Sequence, residues 1–316
     1  MTSKGKGAGT LHSGENRMKI ALLGLDAAGK TSFVRTLQKK YSESIDLQPT
    51  KGIDRTRLRV LGKDVSLWDF GGQEAYRERY LRKEESLASV DLVLFLVDIT
   101  DPARFDEAAG YFSSLIAQTD LGKVDQSRFV LCLHKSDPDR VMTDNAIIGN
   151  ISLGSEKFRE VIPTTQIFET SIFSPRTILS AISVGIQKTI QKQDIIDNML
   201  EAFVEQTGSK AVHLLSSDAF SFGAYSLDSD SDTVCETLGF SFVEAWEAIS
   251  SRGEDPKVIA MQLEKGWAFF NRVVLDKDNY LFLVTYASSE AAREPILQQI
   301  PAFTEKVSDI VRAISL

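Results

Sequence analysis

Apolar and polar positions alternate along the first part of the chain in two ways. Short apolar runs, typical of buried strands, occur at 20–23, 91–99, 127–134 and 164–170. Stretches with helical spacing lie at 30–41, 75–87, 101–118 and 176–191. Strand-like runs at 53–60 and 64–69, joined by residues 61–63, predict a β-hairpin. This alternation predicts an α/β fold with a doubly wound, mostly parallel sheet that binds ligands at the carboxyl ends of its strands.

The pattern changes after residue 192. Helices are predicted at 194–207, 235–250 and 288–314, and strands at 211–216, 220–227, 257–263, 267–275 and 280–286. Three consecutive strands do not continue a doubly wound sheet, so they predict an α+β domain built on an antiparallel meander. We expect a flexible tail at 1–17, the α/β domain at 18–192 and the second domain at 193–316.

Composition and charge narrow the function classes. The 316 residues are 43% hydrophobic and 25% charged, which is ordinary for a globular protein, and the net charge of −8 argues against nucleic acid as a partner. Two cysteines, Cys132 and Cys235, suit a reducing cytoplasm. Residues 1–17 lack the apolar core of a signal peptide, and Thr2 and the cysteine-free carboxyl end predict that the chain carries no lipid anchor.

A glycine loop between the first strand and the first helix predicts phosphate binding. Its sequence is Gly-Leu-Asp-Ala-Ala-Gly-Lys-Thr, from Gly24 to Thr31. Backbone N–H groups of such a loop and of the following helical turn converge on an anion, and Lys30 reaches the β- and γ-phosphates. The predicted nucleotide-contacting residues here are Gly24, Asp26, Ala27, Ala28, Gly29, Lys30, Thr31 and Ser32.

A second motif, Asp69-Phe70-Gly71-Gly72-Gln73, follows the second strand of the hairpin. Asp69 is predicted to hold Mg²⁺ together with the hydroxyl groups of Thr31 and Thr50, and Gly72 to approach the γ-phosphate. Gln73 is placed to orient a water molecule, so Gln73 and Lys30 are the predicted catalytic residues. No intrinsic arginine finger is identified, which predicts slow hydrolysis that a partner accelerates.

A third motif, His134-Lys135-Ser136-Asp137, predicts guanine recognition. The Asp137 carboxylate pairs with N1–H and N2–H₂ of guanine, which adenine does not offer, and the Lys135 stem lies along the base. Backbone N–H groups of Ser171 and Ile172 can reach the guanine oxygen. Each feature is weak alone, because His134 is also compatible with a core or capping histidine.

Together these motifs resemble the Ras-superfamily GTPases over residues 19–192. The loop and the Trp-Asp-Phe-Gly-Gly-Gln run are similar to the Arf family, whereas His134-Lys135-Ser136-Asp137 and Thr170-Ser171-Ile172 are similar to the Rag/Gtr family. The order of elements after residue 192 resembles the roadblock or longin-like domain of Rag/Gtr proteins. The resemblance implies a P-loop GTPase fold, GTP or GDP as ligand, Mg²⁺, and homo- or heterodimerisation through the second domain.

The same resemblance implies activating and exchange factors, a cytoplasmic location, and membrane contact only through partners. The apolar side of 235–249 is a candidate dimer interface. Two other functions stay open: a pseudo-GTPase scaffold, and an Arf-like trafficking GTPase with an added domain. The charged run 77–85 is either a partner surface or an exposed helix face, and its composition favours the exposed face.

Overall fold

The computed structural model describes residues 18–38, 50–60, 63–82, 87, 89–118, 128–188, 193–276 and 279–315. Its first half holds a six-stranded sheet in the order β2-β3-β1-β4-β5-β6. The strands are β1 (Met18–Gly24), β2 (Ile53–Val60), β3 (Lys63–Phe70), β4 (Leu92–Asp98), β5 (Phe129–His134) and β6 (Gln166–Thr170). The helices are α1 (Lys30–Leu37), α2 (Glu74–Arg82), α3 (Phe105–Gln118), α4 (Pro138–Thr143), α5 (Asn145–Val161) and α6 (Pro175–Gln187).

All neighbouring strands of this sheet are parallel except the β2–β3 hairpin. β4 shows why its apolar run is continuous: Leu92, Leu94 and Leu96 face one buried cluster, and the alternate residues face the other. β1 lies between β3 and β4, so β2 and β3 are added on one side of β1, and β4, β5 and β6 are added on the other. The carboxyl ends of β1, β3 and β4 therefore border the crevice where doubly wound sheets bind ligands.

The second half holds a five-stranded antiparallel sheet in the order β8-β7-β11-β10-β9. Its strands are β7 (Ala211–Ser216), β8 (Ser221–Ser226), β9 (Val258–Leu263), β10 (Gly266–Val274) and β11 (Tyr280–Ala287). Its helices are α7 (Gln193–Thr207), α8 (Ser229–Ser250) and α9 (Arg293–Ser315). Helix α8 covers one face, and α7 and α9 cover the other, where the rings of Phe203 and Phe303 meet edge to face.

The structure confirms the predicted fold class, a doubly wound sheet followed by an α+β part with an antiparallel meander. Two predictions need correction. The sequence pattern predicts no element at 138–161, where α4 and α5 lie. The apolar side of 235–249 is not a free interface, because Cys235, Phe242 and Trp246 are buried against their own sheet. The predicted tail at 1–17, the loop at 42–49, part of the loop at 61–63 and the ends of the predicted helices at 30–41, 75–87 and 176–191 lie outside the described residues.

Helix α6 joins the two halves. Gln187 Nε2 donates to the backbone oxygen of Ser221 at 3.0 Å, and the Ser221 N–H donates to Ser183 Oγ at 2.9 Å. Buried apolar residues of α6 and β8, including Ile186 and Phe222, belong to one cluster. The proposed division at residue 192 stays a prediction. Among the described residues, no helix is both long and apolar enough to cross a membrane.

Candidate nucleotide-binding site

The glycine loop after β1 lies against neighbouring backbone and side chains so closely that glycine is required. At Gly24, with φ +142°, a Cβ atom would lie 2.3 Å from the oxygen of Leu96 in β4. At Gly29, with φ +87°, it would lie 2.5 Å from Cδ2 of His134. Gly29 is also the N-cap of α1, so the loop ends where the positive end of that helix begins.

Lys30, the first residue of α1, turns back over the loop. Its Nζ donates to the backbone oxygens of Gly24 at 3.0 Å and Leu25 at 2.6 Å, and the residue is 6% exposed. Burial lowers the pKa of Lys30 to about 8, and the charge of Asp69 opposes this shift. The ammonium group therefore remains protonated at neutral pH.

The three predicted metal ligands meet at the carboxyl ends of β1 and β3. Thr31 Oγ1 donates to Asp69 Oδ2 at 2.6 Å, and Thr50 Oγ1 lies 2.9 Å from Thr31 Oγ1 and 3.3 Å from Asp69 Oδ2. Asp69 Oδ1 is buried without a hydrogen-bond partner among the described residues. Burial raises the pKa of Asp69, and the hydrogen bond from Thr31 and the charge of Lys30 oppose that shift.

This donor set fits Mg²⁺, a hard cation that takes oxygen ligands and shares its coordination shell with water and substrate phosphates. The buried, unpaired Oδ1 of Asp69 is the atom that such an ion would satisfy. Elsewhere in the described ranges no group of three or more His, Cys, Asp and Glu side chains is arranged to hold a metal.

The loop after β3 lies on the glycine loop. At Gly72 a Cβ atom would lie 2.3 Å from the nitrogen of Asp26 and from the oxygen of Leu25, so glycine is required there too. The Gly71 N–H donates to the oxygen of Gly52 at 2.8 Å, and the Tyr80 hydroxyl donates to the same oxygen at 2.7 Å. This single carbonyl therefore joins the segment that carries Thr50 to the one that carries Gln73.

Gln73 has an exposed side chain directly before α2. Its backbone oxygen accepts hydrogen bonds from the N–H groups of Tyr76 at 2.9 Å and Arg77 at 3.0 Å. The position of its side chain therefore depends on how the first turn of α2 is held.

The residues predicted to recognise guanine gather at the carboxyl ends of β4, β5 and β6. Ser171 Oγ donates to Asp137 Oδ1 at 2.6 Å, which links the loops after β5 and β6. Lys135 has a left-handed backbone, with φ +67°, and its Nζ donates to Asp98 Oδ2 at 2.5 Å. Ile172 follows Ser171 and is half-buried.

His134 lies beneath the glycine loop. The residue is 2% exposed, and its Nδ1 lies 2.9 Å from Thr170 Oγ1. Its ring meets that of Phe33 edge to face and borders Gly29. Burial lowers the pKa of His134 to about 4, so the ring is neutral at pH 7. This geometry agrees with the alternative that His134 is a buried core histidine. The ring contacts Gly29 on one side and Thr170, the last residue of β6, on the other.

Three charged residues that the sequence motifs did not identify also border the loop. Arg104 Nη2 donates to Asp26 Oδ1 at 2.7 Å, and Arg104 Nε donates to Glu107 Oε2 at 2.9 Å. Arg77 Nη2 donates to the other Glu107 oxygen at 2.5 Å. The Arg104–Glu107 spacing of three residues was a visible signal for that pair, but no sequence signal joins Arg104 to Asp26.

A comparison with known protein families assigns the chain. The Gtr1/RagA G protein conserved region matches residues 19–250. The chain belongs to the Gtr1/RagA G protein family. The family match covers the first sheet from Lys19 onward and extends to the end of α8, and it confirms the predicted Rag/Gtr resemblance.

Curated relatives of this Gtr1/RagA-family chain include Arf-like proteins. ADP-ribosylation factor-like protein 3 of Saccharomyces cerevisiae is 33% identical over 112 residues, which are 34% of this chain and 55% of that protein. ADP-ribosylation factor-like protein 8b of Arabidopsis thaliana is 30% identical over 151 residues, 46% of this chain and 76% of its own length. The match thus spans about half of the yeast relative. These matches confirm the Arf-like features of a small GTPase.

Among solved structures, the Arl6 (BBS3) small GTPase of Trypanosoma brucei, bound to a nucleotide analogue, is 15% identical, with a TM-score of 0.43. The comparison covers 55% of this chain and 98% of that one.

Acid should destabilise the protein through His134. A histidine with an unfolded pKa near 6.5 and a folded pKa of about 4 binds more protons when unfolded between these values, so stability falls as the pH falls through this window. Between pH 7.5 and 4.5 we expect wild type to lose about 2–3 kcal/mol more unfolding free energy than His134→Asn, measured by urea denaturation. Equal slopes in wild type and His134→Asn would contradict the prediction.

Proposed function

We propose that this Gtr1/RagA-family protein is a molecular switch that binds GTP with Mg²⁺ and hydrolyses it slowly to GDP and phosphate. The observation that carries the proposal is the cluster of Thr31, Thr50 and Asp69 beside Lys30. In this cluster the buried Oδ1 of Asp69 has no hydrogen-bond partner among the described residues. Two hydroxyl groups and one carboxylate at a helix N-terminus suit a hydrated Mg²⁺ that also contacts phosphates.

In the proposed reaction a water molecule attacks the γ-phosphorus, the bond to the bridging oxygen of GDP breaks, and the water proton leaves with the phosphate. Gln73 orients the water, and Lys30, protonated at neutral pH, binds the β- and γ-phosphates. Mg²⁺ held by Thr31, Thr50 and Asp69 would supply further positive charge against the phosphate oxygens. The backbone of Asp26, Ala27, Ala28, Gly29 and Ser32 contributes the remaining contacts of the loop.

Guanine specificity is proposed to rest on Asp137. Its carboxylate accepts from Ser171 Oγ, which fixes its direction, and retains capacity for the two N–H donors of guanine. Lys135, held by Asp98, places its aliphatic stem beside the base. His134 acts in this proposal by supporting Gly29 from below.

The switch itself is proposed to be the pair of loops that share the Gly52 oxygen. Because Gly71 and Tyr80 both donate to that oxygen, the Thr50 loop and the Gln73 loop are expected to move together when the γ-phosphate is lost. Such a coupled change would present different surfaces to activating and exchange factors in the two nucleotide states.

Dimerisation is proposed through the second sheet, to a copy of this chain or a related one. β9 is an edge strand, and Ala260, Met261 and Gln262 on it are exposed. The opposite edge strand, β8, packs against α6 and α7. An open edge strand is a template for pairing with another chain. The protein is proposed to work in the cytoplasm and to reach membranes only through partners.

Gln73→Leu should lower the single-turnover GTP hydrolysis rate by roughly 10-fold or more, because leucine cannot orient water. The affinity for GTP should stay within about 2-fold, because Gln73 does not hold the phosphates in the ground state. Gln166→Leu, an exposed glutamine at the start of β6, is the control and should behave as wild type. Equal, measurable rates for wild type and Gln73→Leu would remove Gln73 from the mechanism, and no hydrolysis by wild type would favour the pseudo-GTPase scaffold instead.

Asp137→Asn should exchange guanine for xanthine specificity, because an amide offers a donor where xanthine has a second oxygen. We expect GTP affinity to fall about 100-fold and XTP affinity to rise, measured by competition against a fluorescent nucleotide. Asp139→Asn, at an exposed aspartate two residues away, should leave both affinities unchanged. Failure of the first variant to gain XTP binding would remove Asp137 from base recognition.

Met261→Lys should weaken self-association, because a charge on an edge strand opposes pairing with another strand. Sedimentation of the full chain should shift toward monomer for this variant. Met142→Lys, at an exposed methionine in α4, should sediment as wild type. A wild-type chain that is monomeric alone and with related chains would contradict the dimerisation proposal.

A further inference from the structure

A chain of four charged residues runs from the glycine loop to α2. Asp26 accepts from Arg104 at 2.7 Å, Arg104 donates to Glu107 at 2.9 Å, and Glu107 accepts from Arg77 at 2.5 Å. Arg104 lowers the pKa of Asp26 and, together with Arg77, that of Glu107, so both carboxyl groups are ionised at neutral pH. Two positive and two negative groups thus form one continuous path of hydrogen bonds.

Arg77 differs from the other charged residues of α2. Its side chain is 11% exposed, whereas those of Glu78 and Arg82 are 59% and 80% exposed. Its guanidinium carbon lies 5.3 Å from the ring centroid of Tyr111, and its Nε is buried without a partner among the described residues. The exposed-face prediction for 77–85 therefore agrees with Glu78 and Arg82 but is wrong at Arg77, and residues 83–85 lie outside the described residues. Burying a guanidinium is costly unless it is paired, so the ion pair with Glu107 and the contact with the Tyr111 ring stabilise Arg77 in this position.

The two ends of this charged path enclose Gln73. On one side Gln73 begins the helical turn that carries Arg77, and its backbone oxygen accepts from the backbone N–H of Arg77 at 3.0 Å. On the other side Gly72, the residue before Gln73, lies against the backbone of Asp26. Gln73 is thus anchored at both ends to residues that the Glu107–Arg104 pair connects.

We propose that Arg77 is a positioning residue for Gln73, and that Glu107 and Arg104 tether it to Asp26 of the glycine loop. This inference rests on the proposed GTP hydrolysis. Loss of the tether frees the first turn of α2 and spreads Gln73 over several orientations. The hydrolysis rate falls, while GTP binding, which depends on the glycine loop, Lys30 and Asp137, is retained.

The kinetic test compares single-turnover GTP hydrolysis and GTP affinity in Arg77→Ala, Glu107→Gln and the double variant. Each single change should lower the rate about 10-fold with affinity within about 2-fold, and the double variant should be no slower, because both changes break one tether. Arg77→Lys should recover part of the rate, since an ammonium group pairs with Glu107 through fewer bonds. Arg79→Ala, at an exposed arginine of the same helix, should match wild type.

Coupling to Gln73 is tested by adding Arg77→Ala to Gln73→Leu. No further loss of rate is expected, because the group that Arg77 positions is already absent. A further 10-fold loss in the Gln73→Leu background, or equal rates for Arg77→Ala and Arg79→Ala, would overturn the inference.

Amide hydrogen exchange separates this inference from the proposed function. With GDP bound, Arg77→Ala and Glu107→Gln should lose protection at residues 76–80, and Arg79→Ala should keep it. If wild type does not hydrolyse GTP at a measurable rate, the proposed hydrolysis fails, and unchanged protection in Arg77→Ala is then what overturns the tether.

Discussion

The glycine loop after β1 is held in contact with its surroundings on three sides, and the rest of the site is built on that contact. Gly24 lies against the backbone of β4, Gly29 against the ring of His134, and the loop backbone at Leu25 and Asp26 against Gly72. None of these approaches leaves room for a Cβ atom. Because the backbone is fixed there, the first turn of α1 presents Lys30 and Thr31 at defined places, and the loop after β3 can lie close enough to share the same ligand.

Burial gives the site its electrostatic character. Lys30 and Asp69 are both almost inaccessible to water, and desolvation lowers the pKa of the first and raises that of the second. Their mutual attraction and the hydroxyl group of Thr31 offset part of this cost. One Asp69 carboxylate oxygen has no hydrogen-bond partner in the described part of the chain, which agrees with the proposal that a bound cation satisfies it.

The two halves of the molecule are connected through one helix. The Ser171 N–H, at the proposed base site, donates to Thr177 near the start of α6 at 3.1 Å. Gln187, the last residue of α6, donates to Ser221 at the beginning of β8. Apolar residues on the same helix belong to a buried cluster that continues into the second sheet. The loop proposed to bind the base and the second sheet are therefore in contact with opposite ends of one helix.

Local patterns in the sequence determined the glycine loop, the Asp69–Gln73 run, the order of helices and strands along the second half and the class of both sheets. These features depend on residue spacing within a few turns or strands, which the chain displays directly. Helix α5 was not predicted because it contains Gly149 and Gly154 and because two of its apolar residues, Ile148 and Leu153, are exposed. Its apolar residues therefore do not follow a clear helical period.

Only the tertiary structure decided which faces and charges meet. The spacing of apolar residues on α8 is the same whether its own sheet or a partner covers them. The sequence therefore could not predict that this side is buried against β7 and β11. Arg104 pairs with Asp26 across 78 residues and Arg77 with Glu107 across 30, and no periodicity extends over such distances. His134 was identifiable as part of a motif, but its position beneath Gly29 follows from the packing of β5 beside the first turn of α1. Contacts between distant segments depend on the complete fold, and for that reason the charged path from Asp26 to Arg77 became visible only there.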